Sequence, residues 1–141
     1  MIEIKGMKFP LDRKYYTKNG AHIWLKSEDH LMTIGLDAFA AEMAGSINYI
    51  NVKKGQVRKN EEFGSFESSK FVNKLYSPVS GEIINVNDPV LLNPHMINDN
   101  PYNSWIVTIK LENKKYNCEH IVEGKDKILK WIKKEIKKYK S

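Results

Sequence analysis

The stretch Phe63-Gly64-Ser65-Phe66-Glu67-Ser68-Ser69-Lys70, followed by Leu75-Tyr76-Ser77-Pro78-Val79-Ser80-Gly81-Glu82-Ile83, decides how this chain is read. Two β-prone runs meet at Ser68-Ser69-Lys70, whose small polar residues suit a turn. Such a turn sends the Lys70 side chain into solvent, and paired strands hold the tip in a reproducible place. By residue type alone Lys70 is one more exposed lysine.

Similar short runs rich in β-branched and aromatic residues lie on either side: His22–Lys26, Leu31–Leu36, Ile47–Val52, Gly81–Val86 and Trp105–Leu111. Turn signals separate them at Lys18-Asn19-Gly20, Lys53-Lys54-Gly55, Asn87-Asp88-Pro89 and Asn98-Asp99-Asn100-Pro101. Closely spaced short strands predict a mostly β chain, a sandwich or small barrel. Helix formers interrupt the pattern after Asp37, a suitable N-cap, and Gly45 can end the run. A short helix near 37–44 is therefore expected to lie across the β body. The turn-rich segment Asn93–Pro101 is expected on the surface. No linker or low-complexity segment appears, so residues 1–141 are expected to form a single domain.

The charge is unevenly placed. Of the 141 residues 41% are hydrophobic and 28% charged, and the formal net charge is +6. Lys125–Lys140 holds eight lysines against Asp126 and Glu135, while residues 1–124 carry 15 basic and 15 acidic side chains. Ile128, Leu129, Ile132, Ile136 and Tyr139 recur there at helical spacing, with Lys127, Lys130, Lys133, Lys134, Lys137 and Lys138 on the other face. This predicts a C-terminal amphipathic helix near 125–140 that packs through its apolar stripe and leaves its lysines solvated. Docking of that face to an acidic partner is the alternative. Nucleic acid is disfavoured, since the face has no arginine and little aromatic interleaving.

Several function classes fall away. A chain this size buries roughly two-thirds of its unfolded surface, so it needs no disulfide framework, and Cys118 is the one cysteine. No apolar run approaches the roughly 18 residues of a membrane span, and Met1-Ile2-Glu3-Ile4-Lys5 lacks a signal's apolar core. A cytoplasmic setting without membrane contact is expected. His22, His30, His95 and His120 show no metal-ligand spacing, so no metal site is expected. There is no Gly-rich phosphate loop. Gly64-Ser65-Phe66 lacks the last glycine of a nucleophile elbow. Cys118 reads as a small buried hydrophobe and His22 as a packed or surface histidine. Composition and periodicity stop at a β-rich globular chain.

The opening stretch carries further. Its Glu-Ser-x-Lys and Ser-Pro-x-Ser-Gly segments resemble the lipoyl-attachment region of the glycine cleavage system H protein. Thr33-Ile34-Gly35-Leu36 before the short helix, His22 and Trp24 around a His-Glu-Trp position, Asn98-Asp99-Asn100-Pro101-Tyr102 and Trp105 follow in the family's order. The resemblance covers about residues 13 to 140, with 1–12 as an N-terminal extension and 125–141 as a C-terminal basic helix. It implies a lipoyl-domain-like barrel-sandwich hybrid and a carrier that catalyses nothing itself. Lys70 would bear lipoic acid in amide linkage at the tip of a tight hairpin, with Ser68 and Ser69 forming the tip and Glu67 offering a carboxylate to the modifying enzyme. Biotinyl carriers flank their lysine with methionines; Ser69 and Phe71 stand here instead. The implied partners are a lipoate ligase or lipoyl transferase, and the enzymes that load and unload the arm.

The departures from the pattern concern cargo. Where H proteins of glycine cleavage place groups around the aminomethylated arm, this chain has Ile23, Met43 and Lys74. A protonated methylamine wants carboxylates and other acceptors around it, and Lys74 would repel it. The Pro-Tyr-to-Trp spacing is also one residue shorter, with only Asn103-Ser104 between. An H-protein relative, the lipoate-binding protein of a heterodisulfide-reductase-like system in sulfur oxidation, fits such a pocket, since its arm would carry a neutral or anionic sulfur species. Two readings remain beside it: aminomethyl transfer with the P, T and L proteins of glycine cleavage, and an unmodified interaction module working through the basic helix.

Overall fold

The computed structural model describes residues 1–140. In chain order it contains β1 (Ile2–Ile4), β2 (Met7–Phe9), β3 (Lys14–Tyr16), β4 (Ile23–Glu28), β5 (Leu31–Leu36), α1 (Ala38–Ala44), β6 (Ile47–Val52), β7 (Gly55–Val57), β8 (Glu62–Ser68), β9 (Val72–Tyr76), β10 (Gly81–Val86), α2 (Asp88–Leu92), α3 (Met96–Asp99), β11 (Val107–Leu111), β12 (Ile121–Val122) and α4 (Lys125–Lys140). Seven strands form one sheet in the order β12-β3-β4-β5-β11-β10-β7, and a second sheet has the order β6-β8-β9. The pairings of both sheets are antiparallel.

The two larger sheets share one core. Leu25, Met32, Ile34 and Ile109 from the larger sheet and Ile50, Phe63, Phe66 and Leu75 from the smaller are all buried in it. The alternation of side chains across a strand explains the choice: Ile23 and Leu25 of β4 face this core, while Trp24 between them joins a second apolar cluster. On β8, Phe63 and Phe66 point inward, while Glu62 and Glu67 stay exposed. The extra step between the two phenylalanines falls where the β8–β9 register shifts between Glu62 and Gly64, since a bulge re-aims the side chains that follow it.

A second apolar cluster lies elsewhere. Ile2, Met7 and Phe9 of the β1–β2 hairpin pack with Tyr15, Trp24, Phe39 and the α4 residues Ile128, Ile132 and Ile136. The amphipathic spacing of α4 thus has its physical cause: three isoleucines on one stripe leave water, each worth roughly 1.5–3 kcal/mol of transfer free energy.

Two expectations need correction. Asn93–Pro101 is not merely a surface loop: α3 lies inside it and Ile97 is fully buried in the main core, where the helical turn satisfies its amide by donation to the Pro94 carbonyl at 3.0 Å. Tyr139 does not join the buried stripe of α4; it is 55% exposed, edge-on to Phe39. Glu135, which the sequence reading left unplaced, is 9% exposed. Strand ends also shift, with β4 running Ile23–Glu28 and β11 starting at Val107. Cys118 is half-buried against the main core. No described helix is long and apolar enough to cross a membrane.

Candidate functional site

The β8–β9 hairpin closes in a two-residue turn, Ser69-Lys70, across which the Ser68 amide donates to the Phe71 carbonyl at 2.9 Å. The Ser68 hydroxyl oxygen accepts from the amides of Lys70 (3.2 Å) and Phe71 (3.3 Å). A serine at the entry to a tight turn is favoured for this reason, its Oγ replacing the missing strand partner. Lys70 itself is exposed, and among the described residues no carboxylate pairs with its ammonium. Glu67 is exposed on β8, opposite Val72 on one side and Tyr49 on the other.

The tip is anchored to the end of α1. The Ser69 amide donates to the Ser46 carbonyl at 3.0 Å. Gly45, the residue after α1, has φ 70° and ψ −149°, a conformation essentially reserved for glycine. A Cβ there would also sit 2.9 Å from Ser69 Oγ and 3.6 Å from Cε of Lys70. The close approach of backbone to hairpin therefore requires glycine on two counts.

Three further contacts fix α1. Asp37 Oδ1 caps it by accepting from the Ala40 amide at 2.9 Å, as the sequence predicted. The Tyr102 hydroxyl accepts from the Ala38 amide at 3.0 Å. Asn98 holds the other end, its Nδ2 donating to the carbonyls of Gly45 (2.6 Å) and Ala41 (3.3 Å) while its Oδ1 accepts from the Ile47 amide (2.9 Å).

A cleft of about 240 Å³ opens between the hairpin, α1 and the end of α4. Ile23, Met43 and Lys74 border it, together with Phe39, Phe71 and His22. Among the described residues no aspartate or glutamate lines it. Ile23 is buried and Met43 half-buried. Lys74 is exposed, its Nζ 3.4 Å from Glu62 Oε1 in a surface pair, which is worth at most about 1 kcal/mol and is readily exchanged for another anion. An apolar cavity with one mobile cation at its lip suits an aliphatic chain ending in a neutral or negative group.

His22 forms the polar floor. Its Nδ1 lies 3.0 Å from Asp37 Oδ2 and its Nε2 2.8 Å from Glu135 Oε1, so both nitrogens donate to carboxylates. The ring is stacked between Phe39 (4.3 Å) and Trp131 (4.6 Å). Burial opposes the charge, but the field of Asp37 and the hydrogen bonds from Asp37 and Glu135 outweigh it and push the imidazole up to about 9. Glu135 is held below the usual carboxylate range chiefly by its bond to His22. Among the described residues no group of three or more His, Cys, Asp or Glu side chains is arranged to hold a metal ion.

Sequence reasoning treated His22, Asp37 and Glu135 separately. The available signal was that Glu135 falls one turn after Ile132 on the inward stripe, where an acid needs a buried partner. Asn98 entered the sequence reading as part of the Asn98-to-Tyr102 resemblance, but nothing in the local sequence marks its contacts to Ala41, Gly45 and Ile47 or the Gly45–Ser69 approach, which join segments far apart in the chain.

The comparisons agree with this geometry. The family model for the glycine cleavage H-protein matches residues 13–135. A probable glycine cleavage system H protein 3 from Sulfurisphaera tokodaii is 38% identical over 116 residues, spanning 81% of this chain and 84% of that protein. A glycine cleavage system H protein 5 from Aquifex aeolicus is 42% identical over 118 residues, 80% of each chain. Among solved structures, an H protein from Mycobacterium marinum superposes with a TM-score of 0.75 at 24% identity, covering 86% of this chain and 98% of that one, and so shares the fold. With the family model spanning most of its length and such relatives on either side of 40% identity, the chain belongs to the glycine cleavage H-protein family of non-catalytic lipoyl carriers.

Proposed function

We propose that Lys70 is the lipoylated residue and that the cleft beside it is adapted to a sulfur cargo, with residues 1–141 acting as one carrier domain. The ε-amine, held on a stiff turn and free of ion pairs among the described residues, is placed for amide formation with the lipoate carboxyl group by a ligase or transferase that also reads Glu67. Bound lipoate would supply a dithiolane, a disulfide open to nucleophiles that could re-form from its dithiol only by reducing a disulfide on a partner enzyme. The chain's own residues position and shelter: Ser68 and Ser69 set the tip, and Ile23, Met43, Phe39 and Phe71 offer the arm a dry wall.

One observation favours a sulfur species over an aminomethyl group. Among the described residues the cleft presents Lys74 and no carboxylate, while the nearby acids Asp37 and Glu135 are turned onto His22 and satisfied there. A cationic amine would find no acceptor anion, whereas a thiolate or sulfonate-like adduct would find an ammonium. The partner enzymes would then be a heterodisulfide-reductase-like complex.

The test is a loading assay on lipoylated protein. With a sulfur donor such as thiosulfate and the heterodisulfide-reductase-like complex, a Lys70-dependent adduct is expected by intact mass. Efficient aminomethyl loading from glycine and its decarboxylase, with onward transfer, would overturn the cargo assignment and return the chain to glycine cleavage.

A further inference from the structure

Two exposed aromatic side chains from distant parts of the chain line the cleft. Phe71, at the start of the return strand, is 37% exposed and edge-on to Phe66 at 6.3 Å. Tyr139, near the end of α4, is 55% exposed and edge-on to Phe39 at 5.4 Å. Both rings border the cleft. Large rings left half in water beside an apolar cavity gain contact area when an aliphatic chain lies between them, and a sulfur atom near a ring edge adds a favourable contact.

The position of Tyr139 is set from one turn earlier. Ile132 and Ile136 seat α4 on the body. Trp131 stacks on one face of His22 while Phe39 covers the other. Glu135 accepts from Nε2 of the same ring. Residues four apart share a helix face, so Glu135 and Tyr139 project together, one down onto His22 and the other over the cleft.

We propose that Tyr139 and Phe71 are paired jaws that hold the lipoyl arm in the cleft, and that Glu135, acting through His22, is the residue that positions the Tyr139 jaw. This rests on the carrier reading above. The jaws bind; Glu135 and His22 touch no reacting atom and act through placement. A docked arm reacts with an outside reagent only during the fraction of time it is released.

The experiment uses the full chain lipoylated on Lys70 by a lipoate ligase and checked by intact mass. Dithiothreitol then reduces the dithiolane: its two thiols become a cyclic disulfide while the arm gains two electrons and two protons. The rate is followed through loss of the dithiolane absorbance and compared with a short lipoyl-lysine peptide. Wild type is expected to react more slowly than the peptide. Tyr139→Ala, Phe71→Ala and Glu135→Ala are expected to be faster than wild type by roughly threefold to tenfold. Tyr139→Phe keeps the ring and Glu135→Gln keeps an acceptor for Nε2, so both are expected to react like wild type. Should Glu135→Ala unfold, the exposed Tyr139 and Phe71 still decide the matter. Equal rates for wild type and peptide, or for wild type and Tyr139→Ala, overturn the jaws alone. A chain that stays unmodified at Lys70 overturns both the jaws and the carrier reading, and mass distinguishes the cases.

Discussion

Glu135 Oε1 and His22 Nε2 lie 2.8 Å apart although 113 positions separate the residues in the chain. With Asp37 on the other nitrogen, a buried imidazolium ties the C-terminal helix to the cap of α1. The contact links the α4 side of the cleft to the element that supports the β8–β9 hairpin. A charge buried this deeply is tolerated only because both donors are satisfied.

This pairing makes stability depend on pH in a stated direction. His22 is raised from 6.5 to about 9 in the folded chain, so its contribution is complete below 6.5 and disappears as pH rises through 9. That contribution is on the order of 3 kcal/mol. Glu135 is lowered, so its share is present above the ordinary glutamate range and is lost as pH falls through the lowered value. Urea unfolding between pH 6 and 10 is expected to show a steady loss of stability, and His22→Gln should flatten that slope while lowering stability overall. An equally steep slope in the variant would remove His22 as the cause.

Lys70→Arg should leave stability within about 0.5 kcal/mol of wild type, because an exposed tip side chain buries little. The same change should abolish ligase-dependent lipoylation, since a guanidinium does not form the amide. Thermal unfolding and intact mass check the two halves. A markedly earlier melt would make Lys70 a structural residue.

Gly45→Ala is expected to cost about 1–3 kcal/mol from its backbone conformation alone, with a further penalty from the clash 2.9 Å from Ser69 Oγ. Combining it with Ser69→Gly removes the clash and leaves the backbone cost. A double-mutant cycle on unfolding free energies should therefore show positive recovery. Strict additivity would mean that hairpin and α1 do not press on each other at this point.

Asn98→Ala removes one acceptor and two donors that serve the backbone on either side of Gly45. Stranded amide and carbonyl groups cost about 1–3 kcal/mol each when buried, so a loss of several kcal/mol is expected in chemical denaturation. Asn98→Asp should be at least as damaging, because a carboxylate would face the carbonyls of Ala41 and Gly45. Near-wild-type stability in either variant would show that water replaces the side chain.

Much of this architecture was legible one segment at a time. Enrichment in β-branched and aromatic residues between turn signals in Leu31–Leu36, Ile47–Val52 and Gly81–Val86 predicted strands that the structure contains unchanged. Asp37 and Gly45 bound α1 as their chemistry requires. The isoleucine spacing of residues 128–136 oriented α4 correctly. These signals are local, because helix and strand periodicity is written in consecutive residues. The hairpin of residues 2–9 was missed for the converse reason: its strands have three residues each, too few to show a period.

The sequence by itself thus determined several of the longer strands together with α1 and α4, that the basic charge sits on one terminal helix, and that a lysine stands at a turn within a family-specific pattern. Tertiary structure alone decided which groups meet: His22 with Glu135, Asn98 with Gly45, and Ile23, Met43 and Lys74 around one cleft. Those encounters depend on sheet order and helix packing. They arise from burying two apolar clusters at once, and no window of neighbouring residues contains that information.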